Sequence, residues 1–215
     1  MPRYGGSIME FSRISFFRWR YEARFEQKLA LALAFAALTG LCAQMRIYLP
    51  WTPVPITMQT FAVFLAAMVL GRNWGGISQA FYVLFGAAGI PWFAGLKGGI
   101  SVILGPTGGY LIGFIIAALF LGYFVDRYIA SRFFVTLFPL LLFANFGIIH
   151  GLGCLWLYFW TGMSASIFEL LMMGSIPFIP GDIAKIFAAS AVGRLLLPKA
   201  AYNGEVDAGK KYRLL

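Results

Sequence analysis

Charge is scarce in this sequence. Only 12% of its 215 residues are charged, against about a quarter in ordinary soluble domains, and 60% are hydrophobic. With a mean hydropathy of +0.80, that composition excludes a soluble globular domain and points to an integral membrane protein. Histidine is nearly absent, His150 being alone, and the two cysteines, Cys42 and Cys154, stand singly in apolar runs with no C-x-x-C spacing. The cysteines therefore read as buried thiols rather than as a disulfide or metal ligands, and no metal site is expected. No G-x-x-x-x-G-K-[ST] loop is present, so ATP hydrolysis by this chain is not expected. H-E-x-x-H and G-x-S-x-G are missing as well, which removes the obvious routes to hydrolysis inside a membrane. Acidic residues number eight against seventeen Lys and Arg, for a formal charge of +9. Such an excess suits nucleic acid or a membrane, and its placement along the chain favours the membrane, with no nucleic-acid partner.

What is present is a series of apolar runs punctuated by glycine and proline. Residues 1–28 mix Arg3, Arg13, Arg18, Arg20, Arg24 and Lys28 with aromatics. They lack the continuous apolar stretch and small-residue cleavage site of a signal peptide. They read as a cytoplasmic basic and aromatic segment in the headgroup layer or as a partly disordered tail that sets topology. Residues 29–198 form the expected transmembrane domain. A first span, 29–49, places Ala30 with Ala34 and Ala32 with Ala36, four apart, so small side chains share a face that suits close helix approach. Three prolines within 50–55 end that helix. A second span covers 56–70, Gly71-Arg72-Asn73 turns the chain, and a third covers 74–89. The stretch 92–110, WFAGLKGGISVILGPTGGY, gathers six glycines around a single cation, Lys97. So glycine-rich a backbone leaves regular helix, and in a bilayer it is tolerated where it lines a cavity or is covered by protein. A fourth span covers 110–125. The fifth, 134–160, is interrupted by Pro139, Gly147, Gly151 and Gly153 and carries Asn145 and His150. A connection over 161–176 includes Glu169, a sixth span covers 179–197, and residues 199–215 form a polar cytoplasmic tail.

The expected fold is thus an all-α integral membrane bundle of six transmembrane helices, with both termini on one side. Six basic residues in the amino-terminal segment, Arg72, the pair Arg127 and Arg132, and five more from Arg194 onward place fourteen of the seventeen cations on one face. The positive-inside rule makes that face cytoplasmic. The remaining three, Arg46, Lys97 and Lys185, fall at the other end, beside the proline loop, the glycine loop and the start of span six.

Asp182 and Lys185 are neighbours on one helix face. Each would cost about 2.5–3.5 kcal/mol at a bilayer centre, so the pair needs a reason. Asp182 caps a helix start that Lys185 neutralises, or the two hold a ligand that carries both hydrogen-bond donors and an anion. Lys97 among glycine N–H groups makes an anion receptor or lies in a solvated loop. Gln59, Gln79, Thr57, Tyr82 and Tyr110 are polar groups at the same end, which bind a ligand or bond a neighbouring helix. Trp51, Trp92 and Phe93 wall a pocket or form an interfacial belt. His150 reads as a core histidine with satisfied hydrogen bonds rather than as a ligand or catalyst, and no catalytic residue is assigned.

Three separated stretches, PVPITMQTFAVFLAAMVLG from Pro53, the loop ending GPTGGYLIGF, and FIPGDIAKIFAA from Phe178, resemble the BioY family. These are the biotin-specific membrane subunits, or S-components, of energy-coupling-factor vitamin transporters. The likeness runs from about Ala32 to Ala189. It implies a six-helix S-component bundle in the plasma membrane, with biotin held beneath the loop between spans one and two and the glycine loop. On this resemblance Asp182 and Lys185 belong to the polar end of the pocket. Lys97 stands where many relatives have arginine, keeping the charge but losing the planar fork. Gln59, Gln79, Tyr82 and Tyr110 are further carry-overs, and Ala30 with Ala34 matches an A-x-x-x-A surface for a transmembrane coupling subunit, itself bound to two ATPase subunits. The chain then has no cofactor of its own. An S-component for another vitamin and an integral membrane enzyme remain as alternatives.

Overall fold

The computed structural model describes residues 8–210; Arg3, Lys211 and Arg213 of the charge count lie outside them. Helix α1 (Ile8–Glu22) leads into α2 (Phe25–Gln44), which stops short of the expected residue 49. Residues beyond it form β1 (Arg46–Ile47), paired antiparallel with β2 (Ile56–Thr57) so that Arg46 faces Thr57 and Ile47 faces Ile56. The proline loop is therefore the tip of a small hairpin, its prolines outside the ladder that they cannot join. Thr52 Oγ1 ties that tip to the carbonyl of Met173 at 2.5 Å.

The next element, α3 (Gln59–Ala87), is helical at both ends and broken at Gly71, where φ is 76° and ψ −171°. Gln59 Nε2 donates to Tyr82 Oη at 2.8 Å across a separation of 23 residues, whereas a straight helix would hold them about 35 Å apart. A methyl group on Gly75 would lie 3.0 Å from Ala67 Cα. The two arms consequently run antiparallel with backbones in contact, and the turn expected at Gly71-Arg72-Asn73 is where the chain reverses. Glycine is required there twice over, by the positive φ and because a side chain would occupy the Asp126 carboxylate.

The glycine loop contains a short helix, α4 (Ile100–Leu104), which was expected to be irregular, and feeds α5 (Gly108–Arg127). The next long stretch runs from α6 (Phe134–Leu142) through a π-helical segment (Phe143–His150) into α7 (Gly151–Trp160). Pro139 and the glycines, read as interruptions, do not break it: Pro139 lies inside α6, Gly147 in the π segment, and Gly151 and Gly153 in α7. The 161–176 connection is also corrected: it contains α8 (Ile167–Gly174), started by a capping box in which Ser166 Oγ accepts from Glu169 N and Glu169 Oε2 accepts from Ser166 N. Helix α8 folds back against α7, and after a 3₁₀ turn at Ile176–Phe178 the chain enters α9 (Ile179–Leu196). Among the described residues five helical stretches are long and apolar enough to cross a membrane: Phe25–Gln44, Gln59–Ala87, Gly108–Arg127, Phe134–Trp160 and Ile167–Leu196.

Packing is close wherever side chains are small. Ala66, Ala67, Ala117 and Ala118 are fully buried between α3 and its neighbours. Helix α5 presents Gly109 and Gly113, four apart, to α7 and the π segment; a methyl on Gly113 would lie 2.9 Å from Ile149 Cα. On α2 the two alanine pairs separate. Ala32 and Ala36 are fully buried in the bundle, whereas Ala30 and Ala34 are exposed on the opposite face.

The end with Gly71 is knitted by buried charge, and both terminal segments take part. Phe17 and Arg20 of α1 are buried, Arg20 donating to Asp126 Oδ1, Val69 O and Tyr202 Oη, each at 3.0 Å. Residues 8–22 are thus a docked helix, and the tail to residue 210 folds back under the bundle. Arg132, with no exposed surface, donates to Glu205 Oε1 at 2.7 Å and to Val125 O at 2.8 Å. Burial alone would raise the Glu205 carboxyl, but the bond from Arg132 outweighs it and holds the group below the usual carboxylate range. A depressed folded value means that the stabilisation is complete above the unfolded value of about 4.3 and is lost as pH falls through the folded one. A spin label at Ala208 should therefore stay immobile from pH 7 to about 5 and loosen only in stronger acid. Loosening already near neutrality would show that Glu205 does not hold the tail.

Candidate functional site

At the opposite end a cavity of about 300 Å³ opens between the two loops and the starts of α3, α5 and α9, the size of a small-molecule pocket. The proline hairpin (Pro53 to Thr57) and the glycine loop (Phe93, Lys97, Gly105) form one side of it. Phe93, Val102, Leu111, Phe114, Ile149 and Phe178 give it apolar walls. Of the residues named from sequence, Gln59, Tyr82, Lys97, Tyr110, Asp182 and Lys185 line the cavity. Gln79 does not: one helical turn from Tyr82 it points into the seam with α2, where it shares hydrogen bonds with Thr39 and Ser78. Trp51 is exposed, and Trp92 packs behind Tyr82, donating from Nε1 to the Tyr82 carbonyl at 2.8 Å.

Asp182 is the hub of the polar end. Its Oδ1 lies 2.5 Å from Lys185 Nζ, and its Oδ2 lies 2.7 Å from His150 Nε2 and accepts from Asn145 Nδ2 at 2.9 Å. The first turn of α9 brings Lys185 to it, and Lys185 also donates to Thr57 O at 2.8 Å, tying α9 to the hairpin. Asn145 and His150 reach the same carboxylate because of the π segment. Five residues apart on an α-helix lie about 140° around it, whereas i to i+5 bonding brings them back to one side. Sequence reasoning set His150 apart from the site; the geometry puts it in the wall and bonded to Asp182. Since an ionised carboxylate only accepts, Nε2 carries a proton.

Two buried polar atoms in this wall have no protein partner, Thr60 Oγ1 and His150 Nδ1. Buried polar atoms are rarely left so. Gln59 is pre-set by Thr57 Oγ1, which donates to its Oε1 at 2.8 Å, while its amide N–H bonds Tyr82. Tyr110 spends its hydroxyl on the Gly174 carbonyl at 2.7 Å, so it shapes the wall and pins α8.

Lys97 sits apart from this network. It is exposed at the mouth and, among the described residues, makes no ion pair, so its charge is free. Its loop is held by a residue that sequence reasoning passed over. Gln44 Nε2 donates to the carbonyls of Trp92 and Phe93 at 3.2 and 3.1 Å, and its Oε1 accepts from Leu96 N at 3.0 Å. With Asp182 balanced by Lys185, the lining carries one unbalanced positive charge, which suits a monoanion whose other end is neutral and polar. No three His, Cys, Asp or Glu side chains among the described residues converge as a metal site.

The model of the BioY family matches residues 17–201. The chain belongs to the BioY family. BioY relatives include the probable biotin transporter BioY of Methanothermobacter thermautotrophicus, 51% identical over 150 residues, covering 68% of this chain and 96% of the relative. The biotin transporter BioY of Thermotoga maritima is 40% identical over 152 residues, covering 68% of this chain and 82% of its own. Among solved structures, the crystal structure of the S-component for biotin from an ECF-type ABC transporter matches with a TM-score of 0.72 at 25% identity, over 79% of this chain and 90% of that one. The BioY match runs through the hairpin, the glycine loop and α9, the three segments that build the cavity.

Proposed function

We propose that this chain captures biotin in the cavity and serves as the biotin-specific S-component of an energy-coupling-factor transporter. The observation that carries the reading is the split of the cavity into a fixed polar end at Asp182 and an unpaired cation at Lys97, with apolar walls between. Biotin has that pattern: a ureido group with N–H donors and a carbonyl, an apolar ring and chain, and a terminal carboxylate. In this reading Asp182, His150 and Thr60 meet the ureido end, Lys97 meets the carboxylate, and Gln59, Tyr82, Tyr110 and Lys185 hold the frame.

The bundle makes six passages of the plasma membrane with both termini cytoplasmic. The reversal at Gly71 supports the sixth passage, and the concentration of cations at the Gly71 end supports the orientation. The exposed face of Ala30 and Ala34 docks a transmembrane coupling subunit that carries two ATPase subunits, which supply the energy that a chain without a nucleotide loop cannot. Vesicles holding this chain with its coupling subunits should accumulate biotin only when ATP is inside; equal uptake without ATP would remove the coupling from the proposal.

Calorimetric titration of the purified, detergent-solubilised protein, checked first by mass spectrometry for carried ligand, should give tight one-to-one binding of biotin and silence with thiamine and riboflavin. Binding of another vitamin in place of biotin would overturn the assignment. Lys97→Ala should weaken biotin about tenfold, the worth of one charge-assisted bond, and leave a biotin amide unaffected. If both ligands weaken equally, Lys97 does not hold the carboxylate.

A further inference from the structure

A second cavity, of about 720 Å³, lies at the Gly71 end, between α1, α2, the Gly71 turn, the end of α5 and the tail. Four cations line it, Arg20, Lys28, Arg72 and Arg127, and a single carboxylate, Asp126. That carboxylate is already engaged: Oδ1 accepts from Arg20 and Oδ2 from the Arg72 backbone N–H at 2.8 Å. The Arg72 guanidinium lies over the Tyr123 ring at 5.4 Å and forms no ion pair among the described residues, and Lys28 Nζ donates to the Tyr21 carbonyl at 2.8 Å. Arg127 is exposed and forms no ion pair among the described residues. The positive-inside rule explains cations at this end, but it does not call for several unbalanced ones around one concavity.

We propose that this cavity seats the phosphate headgroup of an anionic phospholipid. Arg72 and Arg127 supply the charge, with Lys28 beside them, and Arg20 with Asp126 forms the rigid back wall. Phosphate is the shared chemistry of lipid and soluble candidates, and the surroundings favour lipid. Leu31 and Leu70 give the cavity an apolar side, and Tyr21, Trp74 and Tyr123 line it with the amphipathic rings that occupy the membrane–water boundary. Trp74 is held in place edge-on by Phe25, 5.6 Å away. A basic pocket between helix ends, apolar on the bilayer side, suits a headgroup whose chains leave along α2.

The full-length protein in detergent, offered phosphatidylglycerol or phosphatidylcholine and examined by native mass spectrometry, should retain phosphatidylglycerol selectively. Each arginine removed should cost about fivefold in retention, so R72Q with R127Q together should cost about thirtyfold, and R72K with R127K should restore most of it. Unchanged thermal unfolding of the glutamine double variant would show that the fold is intact. Equal retention of phosphatidylcholine, or of phosphatidylglycerol by that intact variant, overturns the proposal. Displacement of phosphatidylglycerol by an equal concentration of soluble glycerol phosphate would assign the site to a soluble phosphate and overturn the lipid assignment. Wild-type lipid retention by the variant together with lost assembly on the coupling subunits would make the surface a protein interface instead.

Discussion

Asp182→Asn is expected to weaken biotin binding by more than tenfold while leaving a folded bundle. One carboxylate here serves Lys185, His150 and Asn145 at once. An amide of the same shape has one acceptor oxygen in place of two and turns an NH₂ toward groups that themselves donate. Hydrogen bonds to a charged group are worth about 1.5–3 kcal/mol, or about 10- to 150-fold in affinity at 1.4 kcal/mol per decade. The asparagine also leaves Lys185 without its counter-charge, though Thr57 O still accepts from it, so thermal stability should fall modestly while affinity falls steeply. His150→Ala should follow the same direction to a smaller extent, because it removes a buried prop of the carboxylate and the unpartnered Nδ1 together. Titration and thermal unfolding of both variants separate the two effects. Wild-type affinity in Asp182→Asn would place the ureido end of biotin elsewhere.

The pair Asp182 and Lys185 was legible because two charges three apart in an apolar helix announce themselves; the three prolines marked a loop, but the helix before it already ends at Gln44. Gly71 stood out as a turn between two short runs, and the structure reverses there. What stayed hidden depends on geometry that composition does not encode. Nothing in FANFGIIH declares i to i+5 bonding, and without it Asn145 and His150 occupy different faces, so a lone histidine was read as core. The alanines of α2 offered two faces of equal quality; only the packed bundle shows Ala32 and Ala36 inside and Ala30 and Ala34 outside. Helix α8 could have been found, since Ser166-x-x-Glu169 before an apolar run is a capping box. Gln44 could not, because its partners in the glycine loop are set by where that loop lands. The glycines of that loop were read as lining a cavity or as covered by protein. For Gly108 and Gly109 it is protein that they make room for, the Ile103 carbonyl and helix α7.

That role of Gly109 leads to the other large effect: Gly109→Leu should abolish binding by prising α5 from α7, with Gly109→Ala intermediate. A methyl group at Gly109 would be driven into the Leu152 carbonyl and Trp156 Cβ, and neither is the free end of a flexible side chain. Relief requires a shift of a whole helix. Overpacking of this kind costs about 1–3 kcal/mol for added methylenes and more where backbone must move. The shift propagates through the next residue, because Tyr110 lies against Gly153 of α7 and its hydroxyl bonds Gly174, just before the turn into α9. Moving α5 therefore disturbs the approach of α9, and with it Asp182, although Gly109 is absent from the cavity lining. Melting temperature and biotin affinity should fall together, in the order Gly, Ala, Leu, a size dependence that a loss of ligand contact would not produce. Wild-type melting and affinity in Gly109→Leu would mean that the α5–α7 contact is loose, and that the cavity is held in shape by its loops rather than by the helices beneath them.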